Sequence, residues 1–161
     1  GGTGRNDTGI FTINTVSGLS LPNTFVNFSN VNLGQQNVPS SPLILNNTGN
    51  EDFDMINISA VALAGTTASS EIIGTTNFYA NITNETAGKG VQLATSAVTL
   101  RELVQGTGLD NATLLHGHTG AFAPNADKGN RSVFFWVDVP SGGLSAQTYN
   151  NTWNITAVNN P

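Results

Sequence analysis

Ser132-Val-Phe-Phe-Trp-Val-Asp-Val139 and Tyr149-Asn-Asn-Thr-Trp-Asn-Ile-Thr-Ala-Val158 are the two stretches that decide the fold class. A cluster of Pro, Ser and Gly lies between them, from Pro140 to Gly143. Two runs that are rich in β-branched and aromatic residues and flank such a cluster predict a pair of strands.

The second run also predicts which of its faces meets solvent. Successive side chains of a strand point to opposite faces, so one face holds Tyr149, Asn151, Trp153, Ile155 and Ala157. The other face holds Asn150, Thr152, Asn154, Thr156 and Val158. Asn150 and Asn154 each begin an Asn-x-Thr triplet, which is an acceptor for N-linked glycan. A glycan cannot be buried in a core, so the acceptors and the hydrophobic pattern agree that the mostly polar face lies outside.

Acceptor triplets recur along the chain more often than its Asn- and Thr-rich composition accounts for. Ten Asn-x-Ser/Thr triplets, none with a central Pro, begin at Asn6, Asn27, Asn46, Asn57, Asn81, Asn84, Asn111, Asn130, Asn150 and Asn154. The excess predicts N-glycosylation of a subset of them and an extracellular or cell-surface location. The chain begins with Gly1 and not with Met, which we interpret as a mature chain whose leader has been removed.

The composition excludes several classes of function. Only 9% of the 161 residues are Asp, Glu, Lys or Arg, against roughly 25% in an ordinary soluble domain. The five basic residues are scattered along the sequence and form no positively charged cluster, which argues against nucleic-acid binding. No apolar run is long enough to span a membrane. The absence of Cys excludes disulfide bonds and thiolate catalysis.

Many short β-prone runs separated by Gly, Pro, Asn and Ser predict an all-β fold. We expect an antiparallel β-sandwich with either Ig-like or jelly-roll Greek-key connections, formed as one domain by residues 18–161. Further strands are predicted at Phe25–Val31, Leu43–Leu45, Phe53–Leu63, Thr75–Thr83 and Val91–Val98. The Phe53–Leu63 run is long enough to be buried on both sides or bent midway.

At most one short helix is expected. Thr99-Leu-Arg-Glu102 matches a capping box, in which a Ser or Thr and a Glu satisfy the first backbone N–H groups of a helix. Leu100, Leu103 and Val104 then have helical spacing, and Gly106 can end the turn. This pattern predicts a helical turn that crosses between sheets.

Residues 1–17 form an N-terminal arm with an alternating, β-prone segment. The segment consists of Ile10, Phe11, Thr12, Ile13, Asn14, Thr15 and Val16. It is either an ordinary first strand or a detachable strand that completes the sheet of a neighbouring molecule. The Gly-rich leader before it and the Ser-Gly-Leu-Ser-Leu-Pro link after it would let such an arm project.

Little in the sequence indicates catalysis or metal binding. His116 and His118 could share a metal on a strand, with Asp110 as a third ligand, but a solvated loop is the simpler interpretation. Glu51, Asp52 and Asp54 form an acidic cluster whose spacing does not match a calcium-binding EF-hand loop. We therefore predict no catalytic residue, no metal site, no cofactor and no enzyme activity.

Two stretches resemble a known group of proteins. Phe25-x-Asn-Phe-Ser-Asn-Val-Asn-Leu-Gly34, followed by Leu45-Asn-Asn-Thr-Gly-Asn50, is similar to the opening of Ig-like surface modules. Phe135-Trp-Val-Asp-Val-Pro-Ser-Gly142 with Thr148–Thr156 resembles the closing hairpin of secreted archaeal β-sandwich proteins. Those proteins include subunits of bundling pili, of threads and of fibres related to the biofilm protein TasA.

The resemblance implies a structural role. Such subunits polymerise head-to-tail by donor-strand complementation, in which the N-terminal strand of one subunit fills a groove in the next. In this sequence Ile10–Val16 matches the donor position. The implied partners are identical subunits and covalent glycans. Two alternatives stay open: a surface-layer or capsid-like lattice protein, and a carbohydrate-binding adhesion module with Tyr79 or Phe122 as a stacking residue.

Overall fold

The structure, a computed structural model, describes residues 18–28, 31–84, 90–101, 114–115, 117 and 129–158. Its strands are β1 (Leu19–Ser20), β2 (Val38–Pro39), β3 (Leu43–Asn47), β4 (Met55–Ser59), β5 (Leu63–Gly65), β6 (Ile72–Ile73), β7 (Phe78–Asn81), β8 (Val91–Gln92), β9 (Val98–Arg101), β10 (Asn130–Val137), β11 (Tyr149–Asn150) and β12 (Asn154–Val158). A 3₁₀ turn at Thr75–Asn77 is the one helical element of the described residues. The predicted all-β class is therefore confirmed.

Every strand pair in the described residues is antiparallel. One sheet has the order β1-β3-β10-β7-β8, with β2 also paired to β10. Two smaller sheets have the orders β11-β5-β6 and β12-β4-β9. The long strand β10 lies in the middle of the larger sheet, so the stretch that decided the fold class also forms its centre.

The two smaller sheets continue into each other along two shared runs of chain. Strands β4 and β5 are separated by Ala60–Ala62, and β11 and β12 by Asn151–Trp153. Side chains replace the backbone ladder at this break, because Asn151 Nδ2 donates to the Ala62 carbonyl at 2.8 Å and Trp153 Nε1 donates to the Val61 carbonyl at 2.7 Å. The Phe53–Leu63 run, for which burial on both sides or a midway bend was expected, is interrupted at Ala60–Ala62. We call the two smaller sheets together the bent layer.

The hydrophobic core combines side chains from the larger sheet and from this bent layer. Val133, Phe135 and Val137 alternate along β10 and are all buried. Ile56 and Ile58 of β4 belong to the same core cluster. Period-two patterning on both layers produces the sandwich-like arrangement, since each layer has one apolar face to cover.

On one side of this arrangement, backbone hydrogen bonds join the two layers. After β8, the Leu93 N–H donates to the Phe78 carbonyl of the larger sheet at 2.8 Å. One residue later, the Ala94 carbonyl accepts from the Ala60 N–H of the bent layer at 2.9 Å. The chain thereby crosses from one layer to the other and closes the side next to β8 and β9.

Five local predictions were wrong. Thr99–Arg101 belong to strand β9, so the capping-box pattern does not start a helix there, and Glu102–Gly106 lie outside the described residues. Thr75–Asn77 form a 3₁₀ turn, and only Phe78–Asn81 of that run are strand.

Strand β10 and the β11–β12 run lie in different sheets, so they do not form a hairpin. Of Val91–Val98, only the two ends are strand.

The fifth concerns Phe25–Val31, whose described residues form no strand. Val26 and Phe28 still pack partly buried against the core while Asn27 is exposed, as the alternation predicted. The inward and outward faces are right, but no ladder holds this segment in place.

The Asn-Thr-Gly-Asn turn after β3 is fixed by a buried side chain. Asn47 is fully buried. Its Oδ1 accepts from the Gly49 N–H at 2.9 Å, and its Nδ2 donates to the Glu51 carbonyl at 2.7 Å. These bonds satisfy the backbone groups of a tight turn that would otherwise have no partner inside the protein.

We expect Asn47→Ala to destabilise the fold by about 2 kcal/mol, because it leaves a buried N–H and a buried carbonyl without partners. Asn32→Ala is the matched control, since the Asn32 side chain is exposed, and its effect should stay within about 0.5 kcal/mol. Urea unfolding of both variants measures the difference. Equal stability of the two would contradict a structural role for the buried amide.

Candidate functional site

An open groove lies on the side of the domain opposite to β8 and β9, away from the backbone hydrogen bonds that join the two layers there. It encloses about 760 Å³, far more than the small voids of a close-packed interior. One rim is the β11–β12 run, and the other is the segment of residues 21–28, which we call the rim segment. The floor includes core side chains of both layers, among them Ile58, Phe78 and Phe135.

A second opening of about 440 Å³ continues the groove to the end of the domain. Gly18, Leu19, Glu51 and Phe53 lie on one side of it, and residues 155–158 lie on the other. Ile155 lines both openings. The gap between the layers therefore runs along the whole of β11 and β12, from a wide end near Trp153 to a narrow end at Gly18.

Aromatic rings form the wide end. The Trp153 ring meets the Phe78 ring edge-on with centroids 5.1 Å apart, and its centroid lies 6.0 Å from that of Phe135. Phe28 of the rim segment lies 5.7 Å from Phe78. Edge-on and tilted ring pairs are a favourable packing that makes such a surface rigid. The floor is thus preformed and apolar.

The rim segment lies outside any described strand ladder, and one of its large side chains is exposed. Among the described residues, no backbone N–H from Thr24 to Phe28 has a hydrogen-bond acceptor. Phe25 lines the groove and is 67% exposed. Asn23 holds the segment to its neighbour, because its Oδ1 accepts from the Ile44 N–H at 3.4 Å. An apolar, hydrogen-bond-capable edge is left facing the groove.

The opposite rim is also an edge. Strands β11 and β12 each stand at the end of their sheet among the described strands. A strand at the edge of a sheet points half of its backbone N–H and C=O groups away from that sheet, where another strand can bind them. Both rims of the groove are therefore able to accept an extended chain.

A single carboxylate fixes the far wall of the wide end. Glu71 Oε2 accepts four hydrogen bonds of 2.7 Å, from the Ser145 N–H, Ser145 Oγ, Gln147 Nε2 and the Tyr149 hydroxyl. Gln147 and Tyr149 also line the groove. The hydrogen bonds from Ser145 and Tyr149 lower the pKa of Glu71 from 4.5 to about 2. The loop between β10 and β11 is thereby clamped to the start of β6.

Gly65 makes room for this clamp. A Cβ on Gly65 would lie 2.5 Å from Gln147 Nε2 and 2.6 Å from the Ala68 carbonyl oxygen, closer than atoms can approach. Gln147 Oε1 meanwhile accepts from the Thr67 and Ala68 N–H groups at 2.7 and 2.9 Å. Sequence reasoning missed Glu71, Gly65 and Gln147, because their partners are distant along the chain.

The predicted glycan acceptors differ in how exposed their Asn side chains are in the structure. The side chains of five are exposed: Asn27, Asn84, Asn130, Asn150 and Asn154. Three are half-buried: Asn46, Asn57 and Asn81. Asn6 and Asn111 lie outside the described residues, as does the predicted subunit-joining strand Ile10–Val16. On β11 and β12 the predicted faces are found, with Tyr149, Trp153, Ile155 and Ala157 packed against the core.

The other candidate residues make structural contacts or fall outside the described ranges. Asp52 Oδ1 accepts from the Gly117 N–H at 2.7 Å, so one member of the acidic cluster anchors a loop. His116, His118, Asp110 and Phe122 lie outside the described residues. The Tyr79 side chain is half-buried, and its hydroxyl meets Gln92 Nε2 at 3.3 Å.

The described part of the chain has neither a cluster of metal-ligating residues nor a membrane-spanning helix. No three or more His, Cys, Asp or Glu residues there are arranged to hold a metal ion. No helix within those same ranges is long and apolar enough to cross a membrane. The groove is therefore the feature on which a functional proposal can be built.

The Glu71 clamp predicts a pH-dependent contribution to stability. A carboxyl whose pKa is lowered on folding stabilises the protein above its unfolded-state pKa, and the contribution is lost as the pH falls through the folded-state value. For Glu71 this window runs from about 4.5 down to about 2. Glu71→Gln should therefore lower the melting temperature at pH 5–7, and the gap to the parent protein should close towards pH 2.

Thermal unfolding across that pH range measures the gap. Ser70→Ala, a change at an exposed neighbour, is the control and should track the parent protein at every pH. A Glu71→Gln gap that persists unchanged down to pH 2 would show that the charge of the carboxylate does not form the clamp.

Comparisons with protein-family models, with curated proteins and with solved structures found no significant match to this chain. The resemblance to archaeal filament subunits therefore stays a prediction from sequence. The case for a function depends on the geometry of the groove and on the chemistry of the chain itself.

Proposed function

We propose that the protein is a structural subunit of an extracellular archaeal filament and has no enzyme activity. Residues Ile10–Val16 of one copy enter the groove of the next copy as an added strand, so that the subunits join head-to-tail. The observation that carries this proposal is the groove of about 760 Å³, bounded on one side by an edge strand and on the other by a rim segment that lies outside any described strand ladder.

The arm has the chemistry that the groove requires. On a strand, Phe11 and Ile13 share one face with Thr15. This mostly apolar face of the arm can pack on the aromatic groove floor of the next copy. The arm's backbone can then pair with the free edge of β12. Seven extended residues span about 23 Å. The ten residues of Tyr149–Val158 offer about 33 Å on the same scale, so the arm fits within the rim.

The arm is attached at the narrow end of the same groove. Gly18 lines that end, and seventeen residues precede it in this sequence. The Gly18 carbonyl accepts from the Thr48 N–H at 3.0 Å, which holds the root of the arm against the domain. An arm at one end and a groove along the side make a contact between two different surfaces. Contacts of that kind generate an open polymer when the rotation between copies does not close a ring.

An empty groove is an unfavourable state for a secreted protein. Phe25 is mostly exposed, and both rims present backbone groups that invite uncontrolled pairing with other chains. A strand in the groove would cover the aromatic floor and pair these groups at once. At roughly 25 cal/mol per Å² of apolar surface removed from water, covering such a floor supplies a substantial driving force.

Surface chemistry supports an extracellular setting. Five of the acceptor triplets have an exposed Asn, so N-linked glycans can be attached there without disturbing the core. With 9% charged residues, solubility depends on Asn, Thr, Ser and attached sugar more than on charge. Identical subunits and covalent glycans are the partners that this proposal requires.

Cross-linking tests the joint directly, because the chain has no cysteine of its own. A variant carrying both Ile13→Cys and Ile155→Cys places one thiol in the arm and one at the centre of the groove. Treatment with a short bis-maleimide reagent should give a ladder of covalent multimers in denaturing electrophoresis. The control pairs Ile13→Cys with Val91→Cys, since Val91 is exposed on β8 at the far edge of the larger sheet.

Either of two outcomes would contradict the proposal. An internally cross-linked monomer without multimers would mean that the arm fills the groove of its own chain. Equal ladders from both variants would mean that the arm has no preference for the groove. Electron microscopy of the parent protein adds the shape of the assembly: single-file fibres support the filament, and flat sheets or shells would favour a lattice protein.

Removal of residues 1–16 should leave a secreted, folded monomer that forms no fibres. The domain keeps its core and groove, because the described residues that form both lie within 18–158. Sedimentation and micrographs of the truncated chain measure the loss. Fibres of normal length from the truncated chain would rule out the arm as the joint.

A further inference from the structure

We infer that, among the acceptors described by the structure, N-glycans are carried by the five with an exposed Asn side chain and not by the three half-buried ones. Glycosylation is then expected at Asn27, Asn84, Asn130, Asn150 and Asn154. Asn46, Asn57 and Asn81 stay bare. This inference rests on the glycosylation that the proposed function includes, and it deepens that proposal by naming the sites.

Two acceptor triplets oppose each other across β4 and β12. In the antiparallel register Asn57 faces Thr156, and Asn154 faces Ser59. Each Asn therefore lies opposite the hydroxyl residue of the other triplet. Directly opposed residues have Cβ atoms about 5 Å apart, so two branched sugars attached to this patch would compete for the same space.

The structure favours Asn154 within this pair. Asn154 is exposed on an edge strand, whereas Asn57 is half-buried on a strand paired on both sides. Thr99 Oγ1 of the third strand also donates to Asn57 Oδ1 at 2.7 Å, which fixes the plane of that amide. A glycan on Asn57 would have to displace side chains from both neighbouring strands, and a glycan on Asn154 would displace none.

The same choice arises on the larger sheet. Asn46 of β3 and Asn130 of β10 are direct partners across the ladder. Asn46 is half-buried and also faces Ser20 of β1 on its other side. Asn130 is exposed at the start of its strand. Because only one of two opposed residues has free space around its amide, the sugar belongs on Asn130.

A third pair lies at the end of β7. Asn81 is half-buried, and its Oδ1 accepts from the Ile82 N–H at 2.8 Å and from the Thr83 N–H at 3.4 Å. Its side chain is thus folded back onto the backbone of its own triplet. Asn84, three residues further on, is exposed beyond the end of the strand. In all three pairs a half-buried acceptor stands next to an exposed one.

Three of the exposed acceptors lie next to the groove. Asn27, Asn150 and Asn154 all lie around its mouth. On β12 the Asn154 side chain points to the face opposite Ile155, because side chains alternate along a strand. A glycan there projects from the outer face of the layer and leaves the backbone edge free for an incoming strand. Glycosylation and assembly at this rim are therefore compatible.

Mass spectrometry of glycopeptides from the natively secreted protein tests the inference. We expect sugar at the five exposed acceptors and unmodified peptide at Asn46, Asn57 and Asn81. A second measurement uses Asn154→Gln, which removes the competing sugar from the shared patch. Asn57 should remain bare in this variant, since its own burial excludes the glycan.

The outcomes separate this inference from the proposal on which it rests. Substantial glycosylation of Asn46, Asn57 or Asn81 in the native protein would overturn the inference alone. Glycan on Asn57 only in the Asn154→Gln variant would also overturn it, because crowding and not exposure would then decide. A native protein without sugar at any acceptor would overturn both the inference and the glycosylation in the proposed function.

Discussion

The constraint on which the rest of the structure depends is that each of the two layers has an apolar face to cover. Both layers need their apolar faces covered, and on the side of β8 and β9 the backbone does this through Ala60 and Ala94. On the opposite side no described strand bridges the layers, so aromatic side chains and backbone groups line an open groove. Among the described residues, the fold is therefore joined on one side and leaves an edge strand beside an apolar groove on the other.

The open edge stays in place because side chains hold it where the ladder is interrupted. Trp153 packs on Phe78 and Phe135 and donates its indole N–H to the Val61 carbonyl. Asn151 makes a second bond of this kind at the same bend. These contacts attach the edge to the core from its inner side, so its outward backbone groups remain available. Rigid attachment with a free edge is what strand addition requires, since a preformed partner pays less entropy on binding.

Sequence patterns predicted the faces of the strands better than their partners. The period of two on Tyr149–Val158 identified the buried and exposed sides, and it did so for Val26 and Phe28 even without a ladder. The capping-box pattern at Thr99 was wrong because β4 pairs with those residues, and tertiary pairing overrides a local helix signal. The groove wall could not be predicted, since Glu71 and Tyr149 are 78 residues apart and only the fold brings them together.

Three carboxylates of the described residues act as hydrogen-bond acceptors for loops and turns. Asp138 Oδ1 accepts from the N–H of Asn37, whose φ of 55° lies in the left-handed region, and Asp52 Oδ1 accepts from the Gly117 N–H. Glu71 does the same for Ser145. An ionised carboxylate binds an N–H more strongly than a neutral group does, so one charge can hold a turn that lacks a ladder.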